Sequence, residues 1–252
     1  IYYFKTTILS LKRVVELYNV KSENKNISNK SITNTFQGKI TVKNLSFSYN
    51  GLKNVINNLN FQINAGDKVL ICGSSGSGKS TLVKIINKFY KDYQGMVYLD
   101  DRELRDYELY DIRNRICYVS QGEILFTDTL YNNINLSGEV KYSDFLKINQ
   151  LTCVSEIAEK LPLGYDTLIE ENGFNFSNGE RQRIVLSRAL LKHADIYIFD
   201  EALSAIDVAR ERIIIKNLFN LYKNKTIIIV SHRFNNDDLF NKKINIEVIN
   251  EH

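Results

Sequence analysis

One stretch of this chain restricts its fold more than any other. The apolar run KVLIC leads directly into GSSGSGKS, residues 73–80, and the overlapping STLVKIINKFY has helical spacing. A strand that runs into a glycine-rich loop and then into a helix is the required context of the pattern G-x-x-x-x-G-K-[ST]. A flexible glycine-serine linker would not follow an apolar strand and lead straight into a helix. We therefore predict a loop that binds phosphate groups.

The residue types in this loop suit such a ligand. Gly73, Gly76 and Gly78 allow backbone conformations that a Cβ would obstruct, so N–H groups and the helix N-terminus can point at phosphate oxygens. Lys79 can neutralise β- and γ-phosphates, and the Ser80 hydroxyl can ligate Mg²⁺. The loop alone does not separate kinases, GTPases, helicases and transporters.

The rest of the chain alternates short apolar strands with helical stretches. Strand-like sequence occurs in KITVKNLSFSYN, VINNLNFQI, KVLIC, MVYL, ICYV, IYIF and TIIIV, and helical spacing occurs over 179–191 and 209–222. Short buried strands between helices indicate a mainly parallel sheet covered on both faces. Residues 122–178 lack such strands, so we expect an inserted helical lobe there.

Two carboxylates, Asp200 and Glu201, follow the apolar strand IYIF. The carboxyl edge of a parallel sheet is where ligands bind in such folds. We expect Asp200 to hold Mg²⁺ directly or through water, and Glu201 to polarise the attacking water as a general base. The alternative is a pair of solvated acids at the end of a strand.

Composition narrows the function classes. Of the 252 residues, 44% are hydrophobic, which is enough for the core of one domain or of one domain with a smaller lobe. The 33 basic residues nearly balance the 29 acidic ones, so nucleic acid is not a favoured partner. Three scattered cysteines without a C-x-x-C pair do not predict a disulfide framework or a metal site. No apolar run approaches the ~20 residues of a membrane span.

The first 35 residues differ from the rest. IYYFKTTILSLKRVVELYNV has helical spacing, and the polar, aperiodic KSENKNISNKSITNT is typical of a linker. The helix could pack on the domain surface or could be the end of a helix from a preceding domain. Because the chain begins at Ile1 instead of methionine, we expect a piece of a longer protein.

At FSNGERQRIVLSRALLKHADIYIFDEALSAID the sequence resembles the signature motif, Walker B strand and D-loop of ATP-binding cassette (ABC) ATPases. The family's other motifs match in the same order. Tyr49 in FSY matches the aromatic A-loop, GSSGSGKS the Walker A loop, Gln121 in YVSQ the Q-loop, and His232 in VSHR the switch histidine. The resemblance covers about residues 39–235.

This resemblance implies an ATP site with Mg²⁺ as its cofactor. The implied catalytic residues are Glu201, His232, Lys79 and Gln121, and the implied metal ligands are Ser80, Gln121 and Asp200. The residues implied to bind ATP are Tyr49, Ser74, Ser75, Gly76, Ser77, Gly78, Lys79, Ser80, Thr81, Ser177, Asn178, Gly179 and Glu180. His232 would contact the γ-phosphate and orient Glu201, and Gln121 would couple the helical lobe to a membrane partner.

The SNGE stretch predicts a second anion-binding helix terminus. Ser177 can cap the helix, and Asn178 and Gly179 tolerate unusual backbone angles, with Asn178 plausible in a left-handed position. The resemblance implies a head-to-tail dimer in which Ser177 and Gly179 of one copy contact ATP held by Lys79 of the other. Asp207 would shape the contact between the copies.

The signature departs from the family's L-S-G-G-Q, since residues 176–180 read Phe-Ser-Asn-Gly-Glu. Asn178 replaces glycine, and Glu180 brings a negative charge near the nucleotide where glutamine is neutral. Leu203 in DEALSAID is a further departure, because many relatives have Thr-Ser there. The turnover rate therefore cannot be predicted from the signature. ATPase activity is still predicted, because Lys79, Asp200, Glu201 and His232 are all present.

The implied fold class is α/β: a RecA-like P-loop NTPase core with a mainly parallel sheet, an N-terminal antiparallel β subdomain and an α-helical subdomain at about 122–190. Residues 1–35 would be the end of a membrane-domain helix and a linker, and residues 36–252 the ABC domain. Glu171 and Gly173 in LPLGYDTLIEENGFNFSNGERQ resemble the exporter X-loop, which touches the membrane domain. YVSQGEILFTDTLYNNI is similar to bacterial peptide exporters, including bacteriocin and lantibiotic transporters.

The resemblance thus implies an exporter motor at the cytoplasmic face of a bacterial membrane. Its partners would be a fused transmembrane domain, a second copy of the chain, and a peptide cargo carried by the membrane domain. Two alternatives stay open. One is a soluble ABC ATPase acting on ribosomes or DNA, which usually has two cassettes or a long coiled-coil insertion. The other is an ATP-gated binding module with little hydrolysis.

Overall fold

A computed structural model describes residues 2–19, 36–120, 122–232 and 236–246 of the chain. The chain divides into two compact units, residues 1–33 and 34–252. The first unit contains helix α1 (Tyr2–Tyr18), which confirms the helical spacing seen in the sequence. Within the described residues, no helix is both long enough and apolar enough to cross a lipid bilayer.

The second unit holds the remaining described elements. Its strands are β1 Ile40–Phe47, β2 Ile56–Ile63, β3 Lys68–Cys72, β4 Gln94–Leu99, β5 Arg102–Glu103, β6 Ile116–Val119, β7 Ile196–Asp200, β8 Thr226–Val230 and β9 Lys242–Asn245. Its α-helices are α2 Lys79–Ile86, α3 Leu109–Arg115, α4 Leu130–Ile134, α5 Tyr142–Leu151, α6 Ser155–Ala158, α7 Asn178–Leu190 and α8 Val208–Leu221. Short 3-10 helices occupy Leu104–Asp106, Gly164–Asp166, Glu171–Gly173 and Asp237–Leu239.

A five-stranded parallel sheet has the strand order β6-β7-β8-β3-β9. Strands β7 and β8 are buried along their whole length, and β3 is buried after its first residue. Such continuous burial of apolar residues is typical of a parallel sheet covered on both faces. Because the strands are parallel, the segments that follow β3, β7 and β8 all leave from one edge of the sheet.

A second sheet is antiparallel, with the order β2-β1-β4-β5. Burial alternates along β1, as expected for a sheet with one face on the core. The strand predicted at MVYL lies in β4 and pairs antiparallel with β1, so it belongs to the antiparallel sheet. The sequence did not indicate which sheet it joins, because a short apolar run carries no such information.

Helix α2 is shorter than predicted from the spacing of residues 80–90. It ends at Ile86, and Lys88 has a left-handed φ of +59° that stops the helix. The Lys88 Nζ donates hydrogen bonds to the carbonyl oxygens of Arg105 (2.9 Å) and Tyr107. The turn after α2 is therefore fixed by a buried lysine that the helical pattern did not predict.

Helices α7 and α8 share one hydrophobic core with β7 and β8. Ile184 of α7 and Ile214 of α8 are almost fully buried in the same cluster as Tyr197 and Phe199. Burying each large apolar side chain contributes about 1.5–3 kcal/mol, so this packing holds the start of α7 firmly relative to the end of β7. The signature motif and the acid pair are thus attached to one rigid core.

Candidate functional site

The predicted phosphate loop connects β3 to α2. Gly73, Gly76 and Gly78 have φ angles of +150°, +81° and +94°, in the range that favours glycine. Gly78 is the N-cap of α2, and a Cβ on it would lie 2.9 Å from the carbonyl oxygen of Val55. Since Gly78 has no side chain with which to cap the helix, the first N–H groups of α2 are left for an anion.

Lys79 occupies the inside of this loop. It is 5% exposed, and its Nζ donates hydrogen bonds to the carbonyl oxygens of Gly73 (2.9 Å) and Ser74 (2.7 Å). The Ser77 hydroxyl is buried and has no hydrogen-bond partner among the described residues. A buried ammonium, an unsatisfied hydroxyl and an uncapped helix terminus fit a bound polyphosphate. The loop residues exposed to solvent are Ser74, Ser75 and Gly76.

Two predicted magnesium ligands are in direct contact. The Ser80 hydroxyl, at the start of α2, donates to Oδ1 of Asp200 at 3.0 Å. Burial raises the pKa of the Asp200 carboxyl above its ordinary value, against the opposing effect of its hydrogen bonds. Hydroxyl and carboxylate oxygens are ligands that Mg²⁺ prefers, so this donor set fits the predicted ion. The third predicted ligand, Gln121, lies outside the described residues.

A residue that the sequence reasoning missed also contacts Asp200. The Tyr118 hydroxyl of β6 donates to Oδ2 of Asp200 at 3.0 Å. Burial and then the Asp200 charge raise the pKa of the Tyr118 phenol, so it remains a proton donor. The sequence feature that could have indicated this contact is the hydroxyl group of Tyr118 within the otherwise apolar run ICYV.

Glu201 and His232 face each other at the same edge of the sheet. Glu201 follows β7, His232 lies two residues after β8, and Oε1 of Glu201 is 3.7 Å from Nδ1 of His232. Glu201 has a φ of +55°, and its backbone nitrogen donates to the carbonyl oxygen of Val230 at 3.1 Å. A left-handed glutamate held by the sheet is a strained conformation of the kind that clusters at active sites.

Tyr49 lies beside the phosphate loop. Its hydroxyl forms a 2.7 Å hydrogen bond with the hydroxyl of Thr81, in the first turn of α2. Phe47 and Tyr90 contact its ring edge-on, with centroids 5.0 and 5.5 Å away. The residue is 56% exposed, so its ring is anchored next to the loop and still has surface free to stack on a base.

The signature motif forms a capping box at the start of α7. Ser177 is the N-cap, its Oγ accepts from the Glu180 N–H at 3.3 Å, and Glu180 Oε2 accepts from the Ser177 N–H at 2.9 Å. The Ser177 hydroxyl also donates to Glu180 Oε2 at 2.7 Å. Burial acts to raise the pKa of Glu180, but the hydrogen bonds from Ser177 outweigh it and lower the pKa below its ordinary value.

The expected unusual backbone angles of the signature are absent. Asn178 is the first residue of the right-handed helix α7, and neither it nor Gly179 has a positive φ. The left-handed position predicted for Asn178 was therefore wrong, because Ser177 caps the helix and Asn178 is already its first residue. Gly179 is required for another reason. A Cβ there would lie 2.9 Å from the carbonyl oxygen of Ala205.

Gln182 joins α7 to the loop that follows Glu201. Its Oε1 accepts from the Ala205 N–H at 2.7 Å, and its Nε2 donates to the Ser204 hydroxyl (3.3 Å) and the Glu201 carbonyl oxygen (3.4 Å).

Asp207, the predicted D-loop aspartate, is the N-cap of α8 and accepts from the Arg210 N–H at 3.0 Å. The loop is therefore held at both ends, by Gln182 and by the α8 cap.

The two helix termini are not joined to each other within the chain. Among the described residues, no hydrogen bond or ion pair connects residues 177–180 with residues 73–81. Ser177 and Asn178 are exposed at the start of α7. The structure brings together Tyr49, the phosphate loop and Asp200 through hydrogen bonds, and it places Glu201 beside His232. The signature lies at a separate helix terminus, where the Glu180 carboxylate accepts from the N–H and the hydroxyl of Ser177.

Comparison with known proteins places the chain in context. A sequence model described as ABC transporter matches residues 56–204. The ATP-dependent lipid A-core flippase of Haemophilus influenzae (strain 86-028NP) is 41% identical over 200 residues, or 78% of this chain and 34% of that protein. The protein of the same name in Shewanella frigidimarina (strain NCIMB 400) is 42% identical over 201 residues, with the same coverage of 78% and 34%. The chain spans about a third of the length of these relatives.

A solved structure, that of a bacterial Atm1-family ABC exporter with ATP bound, matches with a TM-score of 0.86 and 25% sequence identity. The match covers 98% of this chain and 44% of that chain. These comparisons confirm the predicted fold class. None of these relatives is described as a peptide or bacteriocin exporter, so that part of the predicted resemblance finds no support.

Proposed function

This chain belongs to the ABC transporter family as its ATPase domain, and we propose that it is the motor of a membrane exporter that works as a head-to-tail dimer. One observation carries the proposal. The phosphate loop, the Ser80–Asp200 contact and the Glu201–His232 pair converge at one edge of the parallel sheet. Ligands bind at this edge in α/β folds.

Binding of ATP uses groups that are already in position. Lys79 exchanges the carbonyl oxygens of Gly73 and Ser74 for the β- and γ-phosphates, and the N-terminus of α2 receives their remaining charge. Tyr49 stacks on adenine while its hydroxyl stays near Thr81. The exchange keeps the buried ammonium satisfied in both states, which a buried charge requires.

Hydrolysis depends on the residues that follow β7 and β8. Ser80 and Asp200, with Gln121, would hold Mg²⁺, and the ion would supply positive charge against the phosphates. Glu201 polarises the attacking water as general base, and His232, 3.7 Å away, orients Glu201 and contacts the γ-phosphate. The site is complete except for a donor on the far side of the nucleotide.

A second copy supplies that donor. The terminus at Ser177 and Asn178 is exposed, and among the described residues it has no hydrogen bond to the phosphate loop of its own chain. It would instead contact ATP held by Lys79 of another copy. Each copy then contributes half of two equivalent sites, as in a two-fold symmetric pair. Asp207, which caps α8, lies in the loop that would meet the partner's phosphate loop.

The membrane context is also a proposal. Similarity to full-length flippases and to an Atm1-family exporter supports a fused transmembrane domain, with this chain on the cytoplasmic side. The region around Glu171 and Gly173, a 3-10 helix in the structure, would contact that domain. The names of the relatives favour a lipid-linked cargo over the peptide predicted from the sequence.

The test is steady-state ATP turnover with Mg²⁺ for wild type and Glu201→Gln, with Glu139→Gln as a matched control at an exposed position. We expect Glu201→Gln to lower kcat by roughly 10²–10⁴ and to keep ATP binding, whereas Glu139→Gln behaves as wild type. Light scattering of Glu201→Gln with MgATP should show a dimer that disperses when nucleotide is removed.

Other outcomes separate the alternatives. If wild type and Glu201→Gln both bind ATP and are equally inert, the chain is an ATP-gated binding module and the motor proposal fails. If the longer protein lacks hydrophobic spans and associates with ribosomes or DNA, the exporter proposal fails even though ATP is hydrolysed.

A further inference from the structure

The carboxylate of Asp200 is held by two hydroxyl groups from different elements. Ser80 of α2 donates to Oδ1 and Tyr118 of β6 donates to Oδ2, each at 3.0 Å. We propose that Tyr118 is a positioning residue for the magnesium site, and that its hydroxyl sets the orientation in which Asp200 receives the metal. This inference rests on the proposed function, because it assigns a role within the same ATP site.

The fold explains how Tyr118 reaches a residue 82 positions away. Strands β6 and β7 are parallel neighbours, and Tyr118 is paired with Ile198, two residues before Asp200. A long side chain on β6 can therefore extend along the strand direction to the carboxylate at the end of β7. The Tyr118 ring also packs edge-on against Phe89, with centroids 5.9 Å apart, so the hydroxyl is directed by both the strand and a ring contact.

The hydroxyl groups of Ser80 and Tyr118 have different roles. Ser80 is an expected metal ligand, and it can offer a lone pair to Mg²⁺ while its O–H still donates a hydrogen bond to Asp200. Tyr118 is not an expected metal ligand, and its hydrogen bond leaves the other lone pairs of Asp200 available to the metal. Asp200 is 5% exposed and forms no ion pair with another described residue. Its orientation therefore depends on these two donors.

Hydrogen bonds to a metal-binding carboxylate fix its orientation and so affect how tightly it binds the metal. Loss of such an outer partner typically lowers metal affinity or activity by about 10- to 100-fold. The hydroxyl of Tyr118 is the group to remove, since phenylalanine keeps the ring and its packing on Phe89. The expected loss is specific to the metal, because in the described part of the chain Tyr118 has a hydrogen bond to Asp200 and none to the phosphate loop.

The experiment compares Tyr118→Phe with wild type and with Tyr197→Phe. Tyr197 is a matched control, because its buried hydroxyl also donates a 3.0 Å hydrogen bond, in this case to the Lys192 carbonyl oxygen, away from the site. Mn²⁺ binding is measured by electron paramagnetic resonance with a non-hydrolysable ATP analogue. Nucleotide affinity is measured separately with a fluorescent ATP analogue in EDTA, and thermal melting checks that each variant is folded.

For Tyr118→Phe we expect roughly tenfold weaker Mn²⁺ binding, unchanged nucleotide affinity in EDTA, and a Mg²⁺ requirement for turnover raised to a similar extent. In an Asp200→Asn background the Tyr118→Phe change should have little further effect, since the acceptor charge is gone. Tyr197→Phe should bind Mn²⁺ as wild type does.

Equal Mn²⁺ affinity in Tyr118→Phe and wild type would overturn the inference. A loss that is just as large in EDTA would also overturn it, because the hydroxyl would then support the nucleotide site in general. Failure of wild type to hydrolyse ATP contradicts the proposed function instead. The metal-binding measurement does not depend on turnover, so the two failures are distinguishable.

Discussion

The Ser177 hydroxyl donates its proton to the Glu180 carboxylate at 2.7 Å, within the capping box that begins α7. In the proposed dimer the same hydroxyl contacts ATP held by the partner copy. The donor must therefore leave a charged acceptor before it can reach the nucleotide, and the carboxylate stays close to the incoming phosphate. In that dimer the altered signature would stabilise the helix start and weaken nucleotide-dependent association.

Replacing Glu180 with glutamine should strengthen ATP-dependent dimerisation. Glutamine can still accept from the Ser177 N–H, but it removes the negative charge that would face the γ-phosphate in the proposed dimer. We expect dimer formation by the Glu201→Gln protein to need several-fold less MgATP when Glu180→Gln is added. We also expect a loss of about 0.5–1 kcal/mol in the free energy of unfolding, because a charge that favours the helix N-terminus is lost. Weaker dimerisation would show that Glu180 contributes a favourable contact.

His232 should matter for turnover more than for binding. Its Nδ1 lies 3.7 Å from Glu201, and no contact with the phosphate loop is recorded for it in the described structure. We expect His232→Ala to lower kcat by about 10²-fold, while ATP affinity changes less than about threefold. His193→Ala, at an exposed histidine outside the site, is the control. An equal loss of affinity and kcat would mean that His232 serves mainly to bind ATP.

Gln182 should stabilise the loop that carries Glu201. Changing it to leucine removes the 2.7 Å bond from the Ala205 N–H and the weaker bonds to Ser204 and Glu201. We expect the free energy of unfolding to fall by about 1–2 kcal/mol, amide exchange at Ala205 to accelerate, and kcat to fall several-fold. Gln150→Leu, at an exposed position of α5, should change none of these. Unchanged exchange at Ala205 would contradict the role assigned to Gln182.

The Cys117 thiol should make stability depend on alkaline pH. Burial raises its pKa from an ordinary 9.0 to about 11 in the folded state. Because the folded pKa is higher, this contribution to stability is complete below pH 9 and is lost as pH rises through about 11. The contribution is at most about 3 kcal/mol. Urea unfolding of wild type and Cys117→Ala should show a difference that shrinks over this window, and a constant difference would refute the expectation.

Several features of the site were readable from the sequence because they depend on neighbouring residues. The strand, glycine loop and helix from Lys68 to Ile86 follow from an apolar run, from glycines that adopt positive φ, and from a lysine at the helix start. The capping box of Ser177 and Glu180 spans four residues, yet only Ser177 was predicted as a cap. The family pattern predicts a nucleotide contact for Glu180 and says nothing of its role in the helix cap.

Features that join distant segments could not be read in this way. The strand MVYL carried no mark of the sheet it joins. Gly179 is needed because α7 approaches the Ala205 backbone, which is a property of packing and not of the local turn.

The phosphate loop and the acid pair after β7 could be predicted without a fold, because each depends on residue types within a few positions of one another. The order of the family motifs could be predicted in the same way. The hydrogen bonds of Tyr118 with Asp200 and of Tyr49 with Thr81 span 82 and 32 residues of chain, and they are visible only in the folded protein. These contacts arise from strand order and side-chain length. A linear pattern records neither the neighbours of a strand nor the direction in which its side chains extend.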